Sequence, residues 1–183
     1  ATYHKTGPKE AHMAIEAALE AQKLWMSLSW IERSSIMLRA AELMSKKYRH
    51  LINAATMLGQ GKNVQQAEID AVCESIDYLR FNVHFASGIY EGQPLPGGDS
   101  VNRLEYRPLE GFVFAVTPFN FTAIALNLNA SVVLMGNTTV WKPATTAVLS
   151  GYYLMKIFEE AGMPEGVINF VPGPSGSFAD TVL

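Results

Sequence analysis

At 183 residues, 49% hydrophobic and 17% charged, the chain has the composition of a globular domain with enough apolar material for a core. A formal net charge of −3 gives no basic footprint for nucleic acid. The single cysteine, Cys73, excludes an internal disulfide framework and fits a reducing compartment. Residues 1–8 are polar and carry no secretory signal pattern.

Taken in order, the first half reads as helices. Residues 9–28 carry Ala14, Ala17, Ala18, Ala21, Leu24, Trp25 and Leu28, an amphipathic pattern in good helix formers. Ser29 and Glu32 form a capping box, so a second helix starts at Trp30. Its apolar face runs from Ile36 through Leu43 and Leu51 to Leu58, with the stop at Gly59 and Gly61. Asn63 and Gln66 offer a similar cap for a third helix, striped by Ile69, Val72, Ile76, Leu79 and Val83. Gly92, Pro94, Pro96, Gly97 and Gly98 then break the pattern. Residues 101–108 alternate too loosely to bury one face, which predicts an exposed strand at an edge or reaching toward a partner subunit.

From Gly111 the period changes. Strands are expected at 112–117, 138–142 and 167–171. Helices are expected at 123–135, stopped by Gly136-Asn137, and at 147–161, capped by Gly162 with Pro164 beyond. Two successive βαβ units imply a parallel sheet, hence an α/β fold. A Gly-rich loop, 172–177, follows, and 178–183 opens another helix. The sheet is incomplete as it stands, which reads as the front part of a longer protein.

The stretch 111–141 holds no charged residue, long enough to suggest a membrane span. Pro118, Gly136 and the amides of Asn120, Asn127, Asn129 and Asn137 argue instead for a strand, a helix and a strand packed inside a domain. In lipid those amides would each cost several kcal/mol, on the order of a lost buried hydrogen bond.

The candidate chemistry gathers where strands end. Asn120 follows the first strand and its terminating Pro118. A carboxamide there can donate to an oxygen gaining negative charge, or it can be a turn asparagine bonding its own backbone. Phe119 and Phe121 flank it and read equally as core. Lys142 ends the second strand, where its ammonium either meets ribose or phosphate or simply snorkels at an edge. The loop ending in Gly173-Pro174-Ser175-Gly176 is a weak phosphate signal beside an ordinary βα turn. Cys73 has no histidine or lysine nearby in sequence and reads as structural. The four histidines lack metal-ligand spacing, and Lys46, Lys47, Arg49 and His50 complement a helix C-terminus.

Together these stretches resemble the aldehyde dehydrogenase superfamily. The matching pieces are Pro108-x-x-Gly111, Pro118-Phe-Asn-Phe121, Gly136-Asn137, Lys142-Pro143, Glu160-Ala-Gly-Met-Pro164 and Gly166-Val-Ile-Asn-Phe-Val-Pro-Gly173. A closer likeness to one branch adds Gly59-Gln-Gly-Lys62, Gln66-Ala-Glu-Ile-Asp-Ala71 and Ile15-Glu-Ala-Ala-Leu19, and so covers nearly the whole chain.

The resemblance implies three parts: N-terminal helices of the cofactor-binding domain (1–91), an extended oligomerisation ribbon (92–108), and the first βαβαβ part of a Rossmann-like NAD-binding sheet (109–183). Asn120 corresponds to the amide that steadies the oxyanion, and Phe121 to a residue of the aldehyde tunnel. Lys142 corresponds to the lysine that holds the adenosine ribose of NAD. Thr117, Pro118, Phe119, Pro143, Thr145 and Gly173 complete the cofactor contacts. No metal is implied. Residues 101–107 belong to the ribbon through which subunits pair, so a homo-oligomer is expected. Bacterial cytoplasm and mitochondrial matrix both suit such a protein.

Two departures stand out. Where most relatives carry a ribose-binding glutamate three residues after the lysine, this chain has Thr145, which removes a repulsion against a 2′-phosphate and leaves NADP open beside NAD. The nucleophilic cysteine and general-base glutamate of the superfamily lie beyond these residues, and Cys73 does not match that cysteine's motif. The expectation is an N-terminal part of an aldehyde-oxidising enzyme, inactive alone. The rivals are a relative of different aldehyde specificity and a short, non-catalytic nucleotide- or partner-binding module.

Overall fold

The computed structural model describes residues 2–182. In chain order it comprises α1 (Pro8–Trp25), α2 (Trp30–Lys46), α3 (Arg49–Gln60) and α4 (Val64–Ala67). A π-helical turn (Glu68–Cys73) leads from α4 into α5 (Glu74–Glu91). Then come β1 (Val113–Val116), α6 (Thr122–Leu134), β2 (Thr139–Lys142), a 3-10 turn (Thr145–Ala147), α7 (Val148–Ala161), β3 (Ile168–Phe170) and α8 (Ser175–Val182). Local chemistry sets the starts. Ser29 and Glu32 bond each other's backbone N–H groups ahead of α2, and Asn63 and Gln66 do the same ahead of α4.

The sheet is three-stranded and parallel in the order β1-β2-β3, with Val116 opposite Lys142 and Trp141 opposite Phe170. Along β2 the side chains alternate between two cores. Val140 joins Ala11, Ala14 and Ala18 of α1 on one face. Trp141 joins the larger cluster with Leu126 of α6 and Leu154 of α7 on the other, where Met37 of α2 and Leu79 of α5 form a further layer. Helices thus cover both faces, as a parallel sheet requires.

Helix α6 has no polar face, because it is buried among α5, α2, α7 and the sheet. Three of the four amides of the uncharged stretch are used internally. Asn127 accepts from the Asn82 amide (2.7 Å), Asn129 donates to the Ala125 carbonyl (2.9 Å), and Asn137 accepts from the Leu109 N–H (2.7 Å). Among the described residues no helix is long and apolar enough to cross a membrane. Two of the motif pieces meet here: Leu109 bonds Asn137, and Pro108 lies so close to Gly136 that a Cβ there would sit 2.8 Å from its ring.

Four expectations are corrected. The single helix expected from Trp30 to Leu58 is two, broken at Lys47 and Tyr48. The Tyr48 N–H turns back to the Leu43 carbonyl (3.0 Å), while its hydroxyl and the Lys47 ammonium both take the Glu160 carboxylate of α7 (2.7 Å). The break lets α3 bury Ile52 and Ala55. The basic cluster there accordingly finds carboxylates: Lys46 meets Glu42, Lys47 meets Glu160 and Arg49 meets Glu68.

Ile69 leaves the stripe. The π turn adds a residue and rotates the helix before it by about 100°, so Ile69 is 54% exposed while Val72, Ile76 and Leu79 are buried. Residues 101–108 form no strand. A lone bridge links Gly97 and Ser100, and the Gln93 side chain takes the place of a neighbouring strand by accepting from the Leu104 N–H (2.8 Å). Among the described residues no strand lies beside this exposed segment, so it has no ladder to join. Finally, α8 starts at Ser175, three residues earlier than expected, which shortens the loop; Leu183 lies outside the described residues.

Candidate functional site

The site is built where β1 and β2 end side by side. The Thr117 N–H donates to the Lys142 carbonyl (3.2 Å), the last rung of the ladder before Pro118, which has no N–H to continue it. Thr117 is buried, and its hydroxyl accepts from the Trp141 indole N–H (2.8 Å), locking the two strand ends together. Pro118 is half-buried and Phe119 is 66% exposed. Asn120 follows in an exposed bend, and its carboxamide makes no hydrogen bond among the described residues. A turn asparagine tied to its own backbone would look different.

Lys142 is 7% exposed, yet its ammonium forms no ion pair or hydrogen bond among the described residues. A cation with a buried stem and no carboxylate beside it gains most from a ligand that supplies acceptors. Pro143, next in sequence, is buried, and the chain then turns at Thr145. Thr145 is exposed and lines a cavity of about 800 Å³ with Thr146, Tyr152, Phe170 and Pro172. The opening segment walls the other side: the Thr6 N–H and hydroxyl both donate to the Pro172 carbonyl (2.9 and 2.6 Å). Gly173 lies against it, where a Cβ would sit 2.7 Å from the Thr6 carbonyl oxygen. Asn120 and Lys142 do not line this cavity. The structure therefore divides the candidates between a cavity at Thr145 and an open strip over the ends of β1 and β2.

Seven polar residues that were not singled out as site residues from the sequence follow on from Asn120, through Phe121 and Thr122. Phe121 enters α6 in an extended conformation, and Thr122 is its first residue. The Thr122 hydroxyl lies 2.8 Å from that of Thr56 and donates to Gln60 (3.2 Å), whose amide reaches Ser150 of α7 (3.3 Å). Lys62 sits over the Phe121 ring, 3.8 Å from its centroid, and pairs with Asp70 of the π turn. Glu74 follows, with one carboxylate oxygen buried and unpartnered; burial and then Asp70 push its carboxyl up, against the pull of Lys62. The signal in the sequence was the stretch Gly59 to Lys62, which carried family likeness but no chemistry of its own.

Cys73 donates to Glu68 (3.5 Å) and accepts from Arg49 (3.7 Å). Burial and then the Glu68 carboxylate push its thiol up, against the nearby guanidinium, which is the environment of a structural cysteine. No group of three His, Cys, Asp or Glu side chains among the described residues is placed to hold a metal ion.

A parallel sheet covered on both faces, with a free carboxamide past the end of β1 and an unpaired lysine as the last residue of β2, is an α/β arrangement whose ligand crevice lies at those strand ends. The sequence matches the aldehyde dehydrogenase family over residues 1–183, and the chain belongs to that family. It is 57% identical over 174 residues to a probable delta-1-pyrroline-5-carboxylate dehydrogenase of Schizosaccharomyces pombe, a match covering 94% of this chain and 32% of that protein. It is 50% identical over 184 residues to the mitochondrial delta-1-pyrroline-5-carboxylate dehydrogenase of Emericella nidulans, covering 100% of this chain and 32% of that one. Among solved structures, the Delta-pyrroline-5-carboxylate dehydrogenase of Mycobacterium tuberculosis bound with NAD superposes with a TM-score of 0.95 at 52% identity, over 96% of this chain and 33% of that one. The chain thus spans about a third of the length of the relatives it matches.

Proposed function

We propose that these residues form the N-terminal third of an NAD-dependent dehydrogenase that oxidises L-glutamate γ-semialdehyde, the open form of 1-pyrroline-5-carboxylate, to L-glutamate. The observation that carries this reading is the unbonded Asn120 carboxamide past the end of β1, next to the strand that ends in the unpaired Lys142. The names of the similar proteins supply the substrate.

The residues present suit NAD. Lys142 offers its free ammonium to ribose oxygens, and Thr145 opens onto a cavity of about 800 Å³, ample for an adenosine. Past Gly173, α8 begins at Ser175, and a helix N-terminus suits a pyrophosphate. The mycobacterial relative is bound with NAD, whereas Thr145 puts no negative charge against a 2′-phosphate, so both dinucleotides belong in the assay. NAD held there would supply the acceptor for a hydride from the substrate carbon. Asn120 donates to the aldehyde oxygen as it becomes an oxyanion under attack by a thiolate supplied from outside these residues, a contact worth about 3 kcal/mol in comparable sites. Phe121, half-buried beneath Lys62, lines the approach of the aldehyde.

The exposed stretch 92–108 suits pairing between subunits of a homo-oligomer. The mitochondrial matrix in a eukaryotic source, or the cytoplasm in a bacterial one, is where such an enzyme would work.

The test is Asn120→Ala in the full-length dehydrogenase. Turnover should fall by about a hundredfold while the NAD dissociation constant stays within about twofold. Equal losses in both would refute the oxyanion role. Turnover of a panel of aldehydes by the same enzyme decides the substrate, since a preference for an aldehyde lacking the amino-acid group would exclude glutamate semialdehyde.

A further inference from the structure

Asn120 is exposed and unbonded, so nothing about its own side chain fixes where the amide points. The two residues that follow it are both held from the same short segment. Lys62 lies 3.8 Å over the Phe121 ring and is itself held by Asp70. Gln60 accepts from the Thr122 hydroxyl (3.2 Å) and donates to Ser150 (3.3 Å). A Cβ on Gly59 would sit 2.5 Å from the Thr146 carbonyl oxygen, so the same segment also seats against the turn that carries Thr145. The last turn of α3 and the residues that lead from it to α4 therefore touch both turns on which the candidates lie.

We infer that Gln60 and Lys62 are positioning residues: through Thr122 and Phe121 they hold the Asn120 carboxamide in register with the turn after Lys142. The inference rests on the oxyanion role proposed for Asn120. A cation over a ring face and a hydrogen bond to a buried hydroxyl both act at short range and with direction. Together they restrain a turn that its own backbone leaves open, and small displacements of a donor cost rate steeply.

The experiment is Lys62→Met and Lys62→Arg in the full-length dehydrogenase, each alone and with Asn120→Ala, with kcat, NAD dissociation constant and melting temperature measured. Lys62→Met should lower kcat by about tenfold or more and leave NAD affinity within about twofold, and Lys62→Arg, which keeps the cation over the ring, should restore most of the rate. Added to Asn120→Ala, Lys62→Met should cost little more, because it acts through that amide. Wild-type kcat in Lys62→Met beside an impaired Asn120→Ala overturns the positioning role alone, as does full multiplication of the two effects. A loss of melting temperature with unchanged kcat assigns Lys62 to stability only and likewise overturns it. An unimpaired Asn120→Ala overturns the oxyanion reading and the positioning role with it. Should Lys62→Met not fold, Gln60→Leu carries the same comparison through Thr122.

Discussion

Two carboxylates near the π turn respond to pH in opposite directions. Glu68 accepts from Asn53 and Arg49, and these bonds, led by Asn53, hold its carboxyl below the usual range. The folded state therefore releases its proton more readily than the unfolded one. The resulting stability is present above the unfolded value, about pH 4.3, and is lost as pH falls through the lower folded value. Glu74 is the reverse. Burial and Asp70 raise its carboxyl, so the folded state holds the proton more tightly and loses stability as pH rises from the unfolded value through the folded one. Melting curves should accordingly show Glu68→Gln less sensitive to acid than the parent protein. Glu74→Gln should be the more stable of the two at pH 7 and above, and a lower melting temperature for it there would mean the unpartnered oxygen is not a liability.

At the scale of elements, close approach matters more than propensity. Helix α3 ends against the 3-10 turn because Gly59 has no Cβ to meet the Thr146 carbonyl, a backbone atom that cannot swing aside. Gly59→Ala should destabilise the fold by about 1–3 kcal/mol, read from the denaturant midpoint. It should also weaken NAD binding, because the displaced turn carries Thr145. Unchanged NAD affinity in a destabilised Gly59→Ala would separate the turn from the cofactor. Arg33 is the counterpart at the other end of the sheet. Its guanidinium is buried and answered by main chain and phenol rather than by a carboxylate: it donates to the carbonyls of Leu28 and Leu134 and to Tyr90, joining α2 to α5 and α6. It also packs against Gly136, so the sequence pair Gly136-Asn137 serves as a seat for α2 and the incoming strand as well as a helix stop.

Across the whole molecule, the large apolar side chains left outside the cores are not spread at random. Val116 and Phe119 are more than half exposed at the mouth of the site, and Phe81 and Phe85 stack on each other along the outer side of α5 at 55% and 60% exposure. Patches of this kind call for cover, and the relatives have about two thirds of their length beyond the part that this chain matches. The 183 residues by themselves should bind an apolar fluorescent dye more strongly, per mole, than the full-length protein. They should yield no NADH with NAD and glutamate semialdehyde, since Cys73 is bonded to Glu68 and Arg49 inside the helical layer. Dehydrogenase activity from these residues alone would overturn the proposal that the thiolate comes from outside them.

The amino-acid sequence by itself determined what is local or periodic: the capping pairs Ser29–Glu32 and Asn63–Gln66, the stop at Gly162, three β-favouring runs, and the placing of Asn120 just past the first of them and of Lys142 at the end of the second. These follow from backbone chemistry within a few residues, or from one face being apolar, and need no distant partner. Only the tertiary structure decided where α2 breaks, because Glu160 of α7 recruits Lys47 and Tyr48 across 113 and 112 positions of sequence. The same holds for Ile69 facing outward, for residues 101–108 failing to form a strand, and for the hold of Gln60 and Lys62 on the turn at Asn120. Each depends on which side chain arrives from elsewhere to complete a hydrogen bond, an ion pair or a ring contact, and no spacing along one segment encodes that arrival.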